Sequence, residues 1–518
     1  MTRDNDRFSI LFVSTFTHLY AYGLRVLAAV MHHRGVHADI LFAGSMGAYE
    51  NRVSKIASKQ FSEKFVREFL LFVQPYRIIG FSVFTDNLPE CVQLSRLVRS
   101  HYPEKIIVFG GMHTTALPDE SLNFCDYAVV GEAFTAFPEL VASLDHNMGV
   151  LPPRGIWRQE GTNGILRNGA GTVMRNIDAL PFQLYDPAYV FVRRSDEKII
   201  ALNRERYVKY IGYTYATMMS MGCPYSCSYC CNNVLKKLSP EYGITRWHSS
   251  DYIINEILAA QKWIEFYSVW FMDDSFLTMP QVEFDKFTHD YKKKIGLPLA
   301  ILGIIPRMAA IYMGRIEQLI ACGLTKGGVG VQTGSRRMLA SYGREQSNED
   351  VMAISKSFAS HAKQTRTSYD ILLDGIDETP DDVLETLKLV NQLQRPILLN
   401  FFSLRTYPGT DLYGKTPQSM RSKESYLKYR HTIGNLLIGI ASLWRLPSFI
   451  IQIIEKRPEI LAQTAPFFLS QSVDILLMMK RFAYHIKGKD YCRLPSWLVR
   501  FIWFLGIDKK PTFSEYSE

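Results

Sequence analysis

The chain has 518 residues and a mass of 59.4 kDa, long enough for two or three domains. Its 47% hydrophobic and 21% charged residues are a globular balance, which excludes a disordered or fibrous chain. The formal charge of +9 is uneven: residues 421–518 hold 15 basic and 8 acidic side chains, a net +7, which leaves +2 on the first 420 and argues against a nucleic-acid-binding body.

The amino-terminal stretch MTRDNDRFSILFVS has a short apolar run and no small-residue cleavage site, so no signal peptide is expected. FSILFVS, ADILFAG, RIIGFSVF, KIIVFGG and DYAVVGE read as five buried strands, with room for crossover helices such as 60–73 and 88–101. Alternating strands and helices predict a parallel, doubly wound sheet over 1–146, with its ligand at the carboxyl ends of the strands. Those ends carry Ser82 and Thr85, then Gly110, Gly111 and His113, then Gly131 and Glu132. No GxGxxG follows the first strand, so a dinucleotide fingerprint is absent.

Residues 147–205 read as a linker, with a strand–turn–strand excursion in GIWRQEGTNGILRNG. A second alternating block follows, within 206–413. ATMMSMG, YSVWFMDD, LAILGII, GGVGVQTG, YDILL and ILLNFFS are its expected strands. Six strand–helix units are too few to close an eight-unit barrel, so an open, partial (β/α)6 barrel is expected. Residues 414–518 lose the alternation and read as a basic, apolar helical region.

The eight cysteines stand at 91, 125, 223, 227, 230, 231, 322 and 492. Their scatter is not a disulfide framework, and a reducing, cytoplasmic compartment is the default expectation. Cys223, Cys227 and Cys230 form a CxxxCxxC run directly after the first strand of the second block. Three thiolates on a four-iron cluster leave one iron open for an external ligand. A structural zinc site wants four ligands, usually as two separated pairs, and no second CxxC is present. A chance group of core cysteines is the third reading, against which stand the Pro and Ser residues interleaved with them and the Asn residues that follow. Cys231 reads as a spare thiol.

This loop, with the motifs that follow it in order, resembles the radical S-adenosylmethionine (SAM) enzymes over about 216–413. Phe271-Met-Asp273-Asp274 resembles the end of that family's second strand, and Gly328-Val-Gly330-Val-Gln332 its glycine-containing strand. Arg344 stands in a Tyr-x-Arg pattern suited to a carboxylate, Tyr369-Asp370 resembles the fifth-strand motif, and Tyr229 stands where an aromatic side chain commonly covers adenine. The resemblance implies that Cys223, Cys227 and Cys230 hold a [4Fe-4S] cluster, and that Tyr229, Asp273, Asp274, Gln332, Arg344 and Asp370 contact SAM. A doubly wound domain ahead of such a barrel resembles the cobalamin-binding subgroup. Ser82, Thr85, Gly110, Gly111, His113, Gly131 and Glu132 are the implied cobalamin contacts. The Asp-x-His-x-x-Gly run that supplies an axial histidine elsewhere is missing.

The activity implied is a cobalamin-dependent C-methyltransferase that moves a methyl group from SAM, by way of methylcobalamin, to an unactivated carbon through a 5′-deoxyadenosyl radical. A radical cyclase or oxidase without methyl transfer, and a non-catalytic iron–sulfur protein, are the alternatives. A small-molecule substrate and a flavodoxin or ferredoxin as electron donor go with the activity. The helical tail has two readings: a cap packed on the barrel, or a surface for peripheral contact with an anionic membrane, which would suit a lipid-like or tetrapyrrole substrate.

Overall fold

The computed structural model describes residues 9–16, 18–44, 60–145, 151–161, 164–417, 429–491 and 494–513; Cys492 and 418–428, the start of the basic region, lie outside them. Two compact units emerge. The first comprises Met1–Tyr213, Val234–His248 and Asn255–Phe266; the second comprises Thr214–Asn233, Ser249–Ile254 and Tyr267–Glu518.

The first unit is built on β1 (Ser9–Ser14), β2 (His37–Phe42), β3 (Ile78–Ser82), β4 (Ile106–Gly110) and β5 (Tyr127–Val129). All five expected strands are present, and the expected helices lie at Glu63–Val73 and Leu88–His101. The order β5-β4-β3-β1-β2 is parallel throughout. It reverses direction between β1 and β3, which makes that junction the topological switch point where a doubly wound sheet binds its ligand. Ile10, Leu11, Ile40, Leu41, Ile78 and Ile79 are fully buried, as strands covered on both faces require.

The stretch read as a linker adds four strands to this sheet. β6 (Ile156–Glu160) and β7 (Gly164–Leu166), the expected excursion, form an antiparallel hairpin on the β5 edge. At the other edge β8 (Val190–Arg193) pairs parallel with β2, and β9 (Ile199–Ala201) returns antiparallel.

The second unit begins with β10 (Thr214–Thr217). Two-residue strands follow at β11 (Ser220–Met221) and β12 (Arg246–Trp247), the latter within a segment of the first unit. β13 (Ser268–Phe271), β14 (Leu299–Ile304), β15 (Leu324–Gln332), β16 (Arg366–Leu373) and β17 (Leu398–Ser403) complete a six-stranded parallel sheet in the order β10-β13-β14-β15-β16-β17. This order never reverses. With right-handed crossovers, every connecting helix then falls on the same face, the winding of a barrel cut short at six units.

Local chemistry fixes the helix starts. Ser347 accepts the Asp350 N–H and Thr379 that of Asp382, each in a reciprocal capping box, and Pro380 opens its helix where a missing N–H costs nothing. The carboxyl-terminal helices are Ile433–Leu443, Ser448–Lys456, Phe467–Lys487 and Ser496–Phe504. Ile433–Leu443 packs on Pro380–Gln392 and on Phe467–Lys487. Gly434 and Gly439 allow that approach, since a Cβ at Gly434 would lie 2.5 Å from Val383 Cγ1. Near the far end of the long helix, Lys326 of β15 is buried against Asp490, which also meets His485 Nδ1 at 3.0 Å. No described helix is long and apolar enough to cross a membrane.

Candidate functional site

In the first unit the chain leaves β3 through Ser82, Phe84 and Thr85 and leaves β4 through Gly110, Gly111 and His113. Gly111 has φ +106°, and a Cβ there would stand 2.6 Å from the Val83 carbonyl oxygen, so only glycine lets these two loops touch. His113 is buried and its Nδ1 lies 3.2 Å from Thr85 Oγ1. Its Nε2 has no hydrogen-bond partner among the described residues, and the nearest carboxylate oxygen, on Glu120, is 3.9 Å away. Burial lowers its pKa, which favours the neutral imidazole. A buried polar atom without a partner is costly and suits a site that receives a polar ligand. Phe84 meets Phe16 edge-on at 5.0 Å across the switch point, and His18 stacks on Phe16 at 5.2 Å. Sequence reasoning passed over this aromatic wall; the signal was an exposed aromatic residue directly after a buried strand.

Gly131 and Glu132 sit differently. Tyr242 Oη accepts the Glu132 N–H at 2.8 Å, in the space a Cβ on Gly131 would need. The Glu132 carboxylate accepts Arg246 Nη1 at 3.0 Å and the Met174 N–H at 3.1 Å. It is thus committed to an internal ion pair, and what it leaves toward the strand ends is backbone.

In the second unit the cysteine loop follows β11. Cys223 and Cys227 are buried, Cys230 is half-buried and Cys231 is exposed where the helix Cys231–Leu238 begins. The middle of the loop is tied to two distant segments: Ser228 donates its N–H to Tyr342 O at 3.0 Å and its Oγ to Ser341 O at 2.9 Å, and accepts the Leu412 N–H at 3.0 Å. Both ends are braced by the acidic pair after β13. Asp273 accepts the Met219 N–H at 3.0 Å and the Ser220 hydroxyl at 2.5 Å, and Asp274 accepts Asn232 Nδ2 at 2.8 Å. Burial pushes the Asp273 carboxyl up to about 7. These two carboxylates, expected at SAM, hold the loop that carries the thiols.

Arg344 donates to the Gly330 carbonyl at 2.6 Å and to Gln346 Oε1 at 2.9 Å, while its Nη1 reaches Cys227 Sγ at 3.7 Å. Gln332 ends β15 with φ 69°, at a register shift against β16. A Cβ on Gly330 would stand 2.9 Å from Gln332 Nε2, so glycine keeps that side chain and Arg344 together. Asp370 lies opposite Gly330 on β16, and Asn400 opposite Asp370 on β17, donating to it at 2.8 Å. Asn400 was missed, although an amide inside the apolar run ILLNFFS is itself a signal. Tyr229 meets Tyr342 edge-on at 5.4 Å, and Leu372, Ile376 and Leu404 share its partly buried apolar surface.

The donor set fits an iron–sulfur cluster. No group of three or more His, Cys, Asp or Glu among the described residues converges on a single metal ion. A structural zinc needs four ligands round one point, whereas cluster thiolates each take a separate iron and stand apart. Three soft thiol donors in one loop, with the Arg344 guanidinium 3.7 Å from Cys227 Sγ, are chemically suited to iron–sulfur ligation.

Comparison with known families agrees. The B12 binding domain family matches residues 9–141 and the Radical SAM superfamily matches 217–390. The chain thus joins an amino-terminal B12-binding domain to a radical SAM domain. An uncharacterized methyltransferase of Pyrococcus horikoshii is 25% identical over 355 residues, 65% of this chain and 68% of the relative. The cobalamin-dependent radical SAM methyltransferase TokK of Streptomyces tokunonensis is 30% identical over 162 residues, 30% of this chain and only 21% of its own length. The fold is shared with the radical SAM methyltransferase TsrM of Kitasatospora setae, at a TM-score of 0.56 and 17% identity over 78% of this chain and 74% of that one.

Proposed function

We propose that this enzyme transfers a methyl group from SAM to an unactivated carbon of a small molecule, using a [4Fe-4S] cluster, SAM and cobalamin. The observation that carries the reading is the joining, in one chain, of a B12-binding domain and a radical SAM domain whose CxxxCxxC loop is braced at its middle and both ends. When bound, these cofactors supply SAM cleavage and methyl transfer, chemistry beyond side-chain acids and bases.

The chain's own residues bind and orient. Cys223, Cys227 and Cys230 would hold the cluster. Arg344, fixed by the Gly330 carbonyl, presents a guanidinium beside the loop for a carboxylate; Gln332, Asp370 and Asn400 offer polar groups to the ribose and methionine. Tyr229, with Leu372, Ile376 and Leu404, forms an apolar surface that suits adenine. Ser82, Thr85 and His113, with the backbone of Gly110, Gly111, Gly131 and Glu132, serve cobalamin at the switch point of the first sheet. A flavodoxin or ferredoxin donor and a cytoplasmic setting complete the reading.

The test is anaerobic reconstitution with cobalamin, a reductant and methyl-labelled SAM. S-adenosylhomocysteine and 5′-deoxyadenosine together, with label entering a product, are the expected result. Deoxyadenosine alone, with no labelled product from any substrate offered, would turn the reading to cyclisation or oxidation. Neither nucleoside from an intact cluster would sink it.

A further inference from the structure

The helix Phe467–Lys487 is apolar on both faces. Val473 and Leu477 are buried against Leu436 and Ala465. Phe468, Ile475, Met479 and Phe482, spaced seven, four and three apart, form a stripe on the opposite face, and all are exposed, Phe468 at 84%. A helix with one face in the core ordinarily turns charged residues outward. Ser496–Phe504 repeats the pattern: Val499 and Ile502 are buried, whereas Trp497, Phe501 and Phe504, one face at i, i+4 and i+7, are exposed at 62%, 50% and 84%. Apolar surface of this extent marks an interaction site.

The charge around these helices selects the partner. Residues 467–510 contain eight basic and three acidic side chains. The three acids are each engaged internally: Asp474 by the Tyr429 hydroxyl, Asp490 by Lys326 and His485, and Asp508 by the Tyr491 hydroxyl and Lys489. Lys487, Arg500, Lys509 and Lys510 are exposed. A second copy of this chain would bring one basic rim against another, a like-charge contact that costs free energy. An anionic bilayer surface offers headgroups to the basic residues and acyl chains to the aromatic ones, at the depth interfacial helices occupy.

We infer that the outward faces of Phe467–Lys487 and Ser496–Phe504 dock this protein on an anionic lipid bilayer, lying on it without crossing it. The docking is independent of methyl transfer. Full-length protein should float with vesicles of phosphatidylcholine and phosphatidylglycerol, remain at the bottom with phosphatidylcholine alone, and lose binding as salt rises. Met479→Glu with Phe482→Glu, and separately Phe501→Glu with Phe504→Glu, should each cut the vesicle-bound fraction by about tenfold or more while thermal unfolding stays unchanged. If a charged pair disturbs folding, tryptophan emission decides: the wild type should shift to the blue on anionic vesicles, and Trp497→Phe should lose part of that shift. Equal recovery at the bottom with both vesicle types overturns the proposal, as does equal flotation on neutral vesicles. A dimer in sedimentation that the same substitutions dissociate, without flotation, would assign these faces to a second copy instead.

Discussion

Arg344 Nη1 lies 3.7 Å from Cys227 Sγ, and Arg344 Nη2 donates to the carbonyl of Gly330 at 2.6 Å. One guanidinium therefore links β15 to the cysteine loop, and a lysine, with a single compact ammonium, cannot serve both partners. In Arg344→Lys, iron and sulfide after anaerobic reconstitution should stay near wild type. The SAM concentration needed to perturb the cluster's electron paramagnetic resonance spectrum should rise about ten- to a hundredfold, the worth of one charged hydrogen bond. An unchanged SAM titration would remove Arg344 from that role.

Cysteine replacement separates ligands from the bystander. Cys223→Ala, Cys227→Ala and Cys230→Ala should each leave little iron after reconstitution, because two thiolates hold a four-iron cluster poorly. Cys231→Ala should load fully, since that thiol is exposed at the start of the helix leaving the loop. Iron loss in Cys231→Ala comparable to the other three would make it a ligand.

The buried Lys326–Asp490 pair fixes the end of the long helix to β15, with exposures of 8% and 4%. Asp490→Ala should cost about 3 to 5 kcal/mol, because it strands the Lys326 ammonium beside Trp270 and takes the partner of His485 as well. Lys326→Met combined with Asp490→Leu should recover much of that loss. Chemical denaturation of the three proteins checks it, and a double variant no better than Asp490→Ala would contradict it.

Gly111→Ala meets two obstacles, φ +106° and a carbonyl oxygen 2.6 Å from the new carbon. A loss of about 3 kcal/mol or more is expected, with weaker retention of cobalamin on a desalting column. Wild-type melting and wild-type retention together would show that the two loops have slack.

Burial pushes the Glu378 carboxyl up to about 7 from an ordinary 4.5, reinforced by Asp374 and Asp382, while the Gly375 N–H donates to it at 3.2 Å. The folded state thus holds its proton more tightly than the unfolded chain. Stability from this group is complete below about 4.5 and is lost as pH rises to about 7. Glu378→Gln should match wild type near the bottom of that window and exceed it at pH 8. Asp273 shifts the same way, so part of the slope survives in the variant. Parallel melting curves across the window would refute the assignment.

What could be read from the chain was what depends on local pattern. Five Val-, Ile- and Phe-rich runs became β1 to β5, and the spacing of Cys223, Cys227 and Cys230 located the loop. What could not be read depends on partners far away in sequence. VFVR looked like part of a connector, yet it extends the first sheet by pairing with β2, roughly 150 residues earlier. Glu132 looked available to a ligand until Arg246, 114 residues on, took its carboxylate. Asp273 and Asp274 were placed correctly at the end of a strand, but a strand end cannot reveal that Ser220 and Asn232 come to meet them. Short polar side chains hydrogen-bond whatever tertiary structure brings near, and sequence spacing carries no trace of that.

Ser228 touches Ser341, Tyr342 and Leu412, so the shape of the cysteine loop is borrowed from parts of the chain made more than a hundred residues later. On the ribosome the three thiols emerge well before the segments that arrange them. A peptide spanning only 220–233 would lack the template and should bind iron without selecting one cluster. On that expectation bound iron alone would say little, whereas one defined cluster species would report that the segments carrying Ser341, Tyr342 and Leu412 have already folded against the loop.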